Sequence, residues 1–224
     1  MKVQVHETNL PLKRTLQQEV LGSSILLGAC PWGPPEHLPE TSVGVGADRI
    51  GIILEFTVRE APGPVIFRTF QDPVWQESCV ELFLNPFPDE DSYYLNLESN
   101  RAGTLLAAWG RDRFNRRALS LEEAGTVESL SASGEGWWKL AHRLPWSLLE
   151  SLSAKTIRFP YRVRANFTKC GDRTRHPHWG SWVPLDTPSP DFHRPERFGS
   201  ITFLGESPGK IEIPLFERWK RAFC

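Results

Sequence analysis

The sequence offers few of the marks that assign a chain to a compartment or a reaction at sight. Its four cysteines, Cys30, Cys79, Cys170 and Cys224, stand far apart with no CxxC pair. That spacing matches neither a zinc ribbon nor a dithiol redox motif, and free thiols are expected. Methionine occurs once, at Met1, so haem ligation by a Met/His pair has no internal methionine to draw on. No apolar run approaches the roughly 20 residues of a membrane span. The opening MKVQVHETNL lacks the basic start and apolar stretch of a signal peptide, and a cytoplasmic location without a membrane partner is expected. An excess of one charge is missing as well: 26 Lys and Arg face 27 Asp and Glu, for a net charge of −1. The basic residues are scattered rather than striped, so nucleic acid is not expected as a partner.

What is present in quantity is tryptophan. Of nine, Trp32, Trp75, Trp179 and Trp182 fall in stretches rich in Pro, Gly and His, where a plain core role is not automatic. With 224 residues and 40% apolar content, the chain can bury a sizeable core, and all-β sandwiches of this size commonly form one domain. The expected fold is all-β: a single-domain antiparallel β-sandwich, jelly-roll-like, over residues 1–205, with one or two short helices. In the tail, 206–224, Leu215, Trp219 and Phe223 are spaced for an amphipathic helix packed on the domain.

The pattern along the chain supports strands at 3–6, 24–27, 41–47, 49–58 and 65–70. The proline-rich CPWGPPEHLPE between the second and third of these reads as turns. Further strands are expected over TLLAAWG, 126–132, 136–144 and 200–204, with RDRFNRRALSLEEAG as a polar loop and Pro145 in the first turn of a short helix. Residues 157–170 form a long strand that sorts Phe159, Tyr161, Val163, Ala165 and Phe167 to one face. Arg158, Arg162, Arg164, Asn166 and Thr168 take the other. Two arginines on one face need partners. The 171–198 stretch is long for a connection, which makes it a functional candidate.

The centre of the pattern is DPVWQESCVELFLN, 72–85, followed by SYYLNLESN, 92–100. Alternation puts Cys79, Glu81 and Phe83 on one face and Val80, Leu82 and Leu84 on the other. In the next strand Tyr94, Asn96, Glu98 and Asn100 share a face. Adjacent strands would then present Glu81, Asn96, Glu98 and Asn100 together, with Trp75 in the loop leading in and the polar face of 157–170 alongside. An indole beside amides and carboxylates suits a sugar: the ring stacks on C–H faces and the polar groups take the hydroxyls.

The run W-x-x-S-C-V-E-L-F-L resembles the tryptophan and acidic-strand motif of family 9 carbohydrate-binding modules and their stand-alone relatives. The N-x-E-x-N and G-T-L of 94–106 are similar to that family's second strand. WWKLAHRLPWSL resembles an element shared with DOMON-like sandwiches, and NFTKCGD with SWVPLDTPSPDFHRPERFGSITF resembles the closing segment of the family 9-like group. The resemblance spans roughly residues 42–203. It implies a sandwich that clamps a terminal sugar between two aromatic rings, Trp75 and either Trp182 or Trp179. Glu81, Asn96, Glu98, Asn100, Arg164 and Asn166 would supply polar contacts. It also implies that calcium serves some members as a structural ion, for which the acidic turn Asp89, Glu90, Asp91 offers oxygen ligands, beside the simpler reading of a solvated tip.

Other readings compete. Glu81 and Glu98 on neighbouring strands would lie at about 5 Å, compatible with a retaining glycosidase pair, or could serve only as partners of Arg162 and Arg164. Cys170, His176, His178, Asp191 and His193 are metal-ligand types without a recognised zinc spacing. The RDRFNRR run is a solvated loop from which Arg111 or Arg113 could reach a ligand. The leading expectation is non-catalytic carbohydrate binding. A glycoside hydrolase, or an interaction module that has lost its sugar, are the alternatives.

Overall fold

The computed structural model describes residues 2–5, 23–61 and 63–204. In chain order these form strands β1 (Lys2–Val5), β2 (Ser23–Leu26), β3 (Ala29–Trp32), β4 (Glu40–Ala47), β5 (Gly51–Arg59), β6 (Cys79–Asn85), β7 (Tyr94–Asn100), β8 (Leu105–Gly110) and β9 (Arg116–Ala118). Helix α1 (Leu121–Gly125), β10 (Glu128–Gly134), β11 (Trp137–Pro145), helix α2 (Trp146–Ser153), β12 (Tyr161–Cys170), β13 (Trp179–Ser181) and β14 (Gly199–Phe203) follow. Single 3-10 turns lie at Pro35–His37, Val74–Gln76 and Pro195–Arg197.

The strands make two sheets. The larger runs β1-β14-β12-β6-β7-β8-β9, and the smaller β10-β11-β5-β4-β2. Pairing is antiparallel apart from the edge strand β1, which runs parallel to β14. The fold is therefore the expected all-β sandwich.

Alternation explains the layers. Val43, Val45, Leu54, Phe56 and Val58 of the smaller sheet meet Val80, Leu82, Leu84, Leu97, Val163 and Phe167 of the larger in one buried cluster. Phe56 and Phe167 touch edge to face across the gap with ring centroids 6.1 Å apart, within the roughly 4.5–7 Å of such pairs. Removing such side chains from water, at about 25 cal/mol per Å² of apolar surface, is the main favourable term in the fold.

Strand β12 does two jobs along its length. Its first half, residues 161–165, pairs with β14, and its last three residues pair with β13, which pairs in turn with β3. The β13–β3 pair thus extends the sheet past the end of β14. Against the outer face of that region sits a second buried cluster: Trp32, Val74, Cys79, Phe83, Tyr94, Cys170, Leu185, Phe192 and Phe198.

Several local expectations differ from the structure. Residues 65–70 form no strand and end in a bend and turn at Thr69 and Phe70, with the Glu77 carboxylate accepting from the Ile66 N–H and the Asp72 carboxylate from the Arg68 and Thr69 N–H groups. The proline-rich segment contains β3. The polar stretch after β8 contains β9 and α1, whose start is fixed by a capping box between Ser120 and Glu123. Residues 171–198 are interrupted by β13 and a 3-10 turn. Pro145 precedes α2 as its N-cap rather than entering its first turn. Strand β12 begins at Tyr161, since Pro160 has no amide to donate to a ladder. The tail helix expected after residue 205 lies outside the described residues. No described helix is long and apolar enough to cross a membrane.

Candidate functional site

The outward face of β6, β7 and β12 carries the polar residues singled out by alternation. Glu81 stands directly opposite Glu98 of β7 and Thr168 of β12. One step along, Phe83 stands opposite Asn96 and Asn166, and Cys79 opposite Asn100 and Cys170. The two carboxylates are thus cross-strand neighbours, and both are buried, at 4% and 3% exposure.

Burial raises the cost of ionising them. It pushes the Glu81 carboxyl up to about 7, against the opposing pull of a hydrogen bond from the Cys170 thiol at 2.9 Å and the Arg116 charge. Burial, and next the neighbouring Glu81, raise Glu98 well above the ordinary carboxylate range. Arg116 of β9 reaches over the pair. Its Nη1 donates to Asn96 Oδ1 at 2.5 Å and lies 3.7 Å from Glu98 Oε1. The other oxygen of Glu98, Oε2, is buried with no hydrogen-bond partner among the described residues. Tyr94, on the same face as Glu98, shares a hydrogen bond of 2.8 Å with His193 Nδ1.

Two tryptophans border this face, and Asp172 ties them together. The Asp172 amide donates to the Trp75 carbonyl at 3.3 Å, and its carboxylate accepts from the Trp179 indole N–H at 2.7 Å. Trp75 is 37% exposed in its 3-10 turn. Trp179 is partly buried against the second cluster. Burial raises the Asp172 carboxyl, opposed by the Trp179 hydrogen bond and then by the charges of Arg113 and Arg173. Arg113 also bears on Glu98 and His193, so its field covers the face from above.

The remaining candidates are placed elsewhere or are already committed. Trp182 is 4% exposed, lies in the main core with its ring 5.6 Å from that of Phe167, and offers no open face for stacking. Asn100 spends all its capacity on the neighbouring chain. It donates to the Phe67 carbonyl at 2.8 Å and Glu77 Oε1 at 2.5 Å, and it accepts from the Ala102 and Thr104 amides. Asn166 exchanges two hydrogen bonds with Val183. Arg164 donates to the carbonyls of Phe198 and Glu196. Arg162 pairs with Asp89. Neither arginine of β12 is thus the partner of Glu81 or Glu98; that part falls to Arg116, in a run whose polarity alone reads as solvated loop.

The acidic turn does not fit a calcium site. Asp89 is taken by Arg162, while Asp91 and Glu90 are both taken by Lys155, at 2.5 and 3.1 Å. Cys170, His178 and His193 do not converge as metal ligands either. His178 instead contacts Lys169 Nζ at 2.7 Å, and His193 joins Tyr94. A cavity of about 990 Å³ opens beside the face rather than over it, bordered by Glu60, Ser78, Asn100, Arg101, Arg175 and His178. Trp75 is not on its wall.

The outer face of the sandwich thus joins a buried carboxylate pair, an overarching arginine, and two tryptophans linked through Asp172, one by its main-chain carbonyl and one by its indole. The sequence model of carbohydrate-binding family 9 matches residues 14–203, and the chain belongs to that family. Among solved structures, a protein from Bacteroides uniformis proposed to bind carbohydrate is 27% identical and superposes with a TM-score of 0.77, over 91% of this chain and 98% of the other. A family 9 carbohydrate-binding module from Caldicellulosiruptor kristjanssonii in complex with cellotriose is 11% identical, with a TM-score of 0.65 over 95% of this chain and 99% of the other. A family 9 module from the same organism in complex with glucose is also 11% identical, with a TM-score of 0.60 over 95% and 100%. Comparison with curated proteins gave no significant match.

Proposed function

We propose that this chain binds a mono- or oligosaccharide without cleaving it, at the rim of the larger sheet's outer face. A sugar ring stacks on Trp75 and on the accessible part of Trp179, and Glu81, Glu98 and Arg116 read its hydroxyls, with Asn96 holding Arg116 in place. The observation that carries the reading is Asp172, which holds both indole segments at one edge of a buried, charged hydrogen-bonding face. Membership of the family supports it, as do the glucose and cellotriose complexes of structurally similar modules. A stacked ring leaves its equatorial hydroxyls in the ring plane, where bidentate acceptors and an arginine fork discriminate best.

Tryptophan fluorescence during titration with glucose and cello-oligosaccharides tests this. The expected result is a saturable change that Trp75→Ala weakens about fivefold or more, since losing a stacked indole costs on the order of 1 kcal/mol or more. An unchanged affinity in Trp75→Ala places the site elsewhere, and no response to any of these sugars overturns the reading for this ligand class. The raised carboxylates favour one competing reading, acid catalysis on a glycosidic bond. Sugar released in the same mixtures, and abolished by Glu98→Gln, would establish it.

A further inference from the structure

Set into the polar face is a cluster of which sugar recognition uses one member, Glu81. Cys79 and Cys170 are directly opposed on β6 and β12, and Glu81 is the next outward residue after Cys79 on β6. One ligand atom from each of these three residues lies within 4.8 Å of the other two. All three side chains are buried. The Cys79 thiol lies 3.5 Å from the Val80 carbonyl and interacts with the Cys170 thiol, which in turn lies 3.7 Å from the Trp75 carbonyl and a close 2.9 Å from Glu81 Oε1.

A second observation is independent of the triad. Glu98, across the ladder from Glu81, has its Oε2 buried without a hydrogen-bond partner among the described residues, although a buried carboxylate oxygen ordinarily has one. Two sulfurs and a carboxylate oxygen form a donor set that suits a soft divalent ion, and the uncommitted Glu98 oxygen on the neighbouring strand lies outside their group. Zinc bonds of about 2.3 Å to sulfur and about 2.0–2.2 Å to oxygen put tetrahedral ligand atoms under roughly 4 Å apart, within the observed spread. Calcium and magnesium, which take oxygen ligands, are selected against by the two sulfurs.

We propose that Cys79, Cys170 and Glu81 hold one thiophilic divalent cation, zinc being the first to test. Binding exchanges protons for metal: the two thiols release one proton each to solvent, the carboxylate binds as its anion, and no electron is transferred. The ion would staple β6 to β12 directly under the Trp75 turn, through Cys170. The inference goes beyond sugar binding and stands without it, because the metal titration contains no sugar.

The experiment uses the full chain, treated with chelator and a phosphine reductant and then titrated with cobalt(II). One equivalent should produce the thiolate-to-cobalt charge-transfer band and the intense visible bands of a tetrahedral site, and zinc should abolish them stoichiometrically. Cys170→Ser and Cys79→Ser should each weaken cobalt and zinc at least about 100-fold, the scale on which even supporting residues of metal sites act. The double variant Cys30→Ser with Cys224→Ser should keep the spectrum. If the β6 and β12 variants fail to fold, Glu81→Gln decides, by a shifted spectrum and weaker zinc. The proposal is overturned by wild-type protein that shows no charge-transfer band at one equivalent, by a band lost only in the Cys30/Cys224 variant, or by calcium displacing cobalt as well as zinc does. Thiol counting that finds Cys79 joined to Cys170 as a disulfide in protein isolated without reductant would overturn it in favour of a covalent staple.

Discussion

His142 stands between the two sheets with a hydroxyl on each side. Its Nε2 meets Ser99 Oγ at 3.1 Å across the sandwich, and its Nδ1 meets Ser129 Oγ at 2.8 Å on the neighbouring strand. Burial pushes its pKa down to about 4, because an imidazolium there would lose its hydration with no anion to replace it. In the unfolded chain the ring titrates near about 6.5. A depressed pKa contributes stability that is whole above the unfolded value and is lost as the pH falls through the folded one. The fold should therefore lose on the order of 3 kcal/mol from this ring between about pH 6.5 and 4. Urea unfolding at pH 7 and pH 4.5 measures it: His142→Gln should shrink the difference between the two pH values relative to wild type. An unchanged difference would mean that the acid sensitivity comes from other groups, such as His178 and His193, whose pKa values burial also pushes down, to about 4 and about 3. Alternation in WWKLAHRL places His142 on the inward face beside Leu140 and Leu144, but no local pattern announces Ser99, 43 residues away in sequence.

At the scale of elements, the closest main-chain approach to a glycine among the described residues is at the join between β5 and β11. Gly51 pairs with Pro145, and a methyl group on it would overlap the Leu144 carbonyl and the Pro145 Cα. Both partners are main chain, so neither can rotate away. Gly51→Ala should cost about 1–3 kcal/mol in chemical unfolding, the range for overpacking. Gly125→Ala, where an added methyl meets nothing within 4 Å, should be neutral or gain about 0.4–1 kcal/mol through the unfolded chain. Equal effects at both sites would show that chain entropy, not the close approach, governs them. Strands β6, β7 and β12 were legible because their period-two pattern is long and one face is mostly apolar, broken only at the far ends by Ser99 and Lys169. Helix α1 was legible in principle, since Ser120 and Glu123 spell a capping box, but the surrounding arginines and glutamates mask it. Strand β3 and strand β13 were not legible: each is short, lies among prolines or glycines, and exists only because the other end of β12 offers a free edge. Trp182 shows the same limit. Its sequence neighbourhood looks like a loop, yet its amide bonds to the Phe167 carbonyl and its indole fills the core over Gly199.

For the whole molecule, the two faces of the larger sheet divide the work. The inner face supplies the shared apolar core, and the outer face carries the buried polar groups, whose desolvation is offset by Arg116, by the loop carbonyls and amides, and, on the reading advanced above, by a sugar. A ligand that binds the folded chain alone stabilises it by mass action: at 100 times its Kd the gain is about 2.7 kcal/mol. In a chain of this length each kcal/mol raises Tm by roughly 2–4 °C, so a saturating sugar should raise it by roughly 5–11 °C. Thermal unfolding with and without cello-oligosaccharide checks this in a way that fluorescence does not, because it reports linkage to the fold rather than a signal from one indole. Trp75→Ala should cut the rise by about a third or more while leaving the sugar-free Tm within a few degrees, since this indole is 37% exposed and only its turn, not the core, loses packing. Asp172→Ala should reduce the rise as well, because it frees the Trp179 indole N–H from its 2.7 Å bond and loosens the arrangement of the two rings. A full rise in both variants would mean that the sugar sits away from the tied indoles, and the cavity bordered by Glu60, Ser78 and His178 would be the place to look.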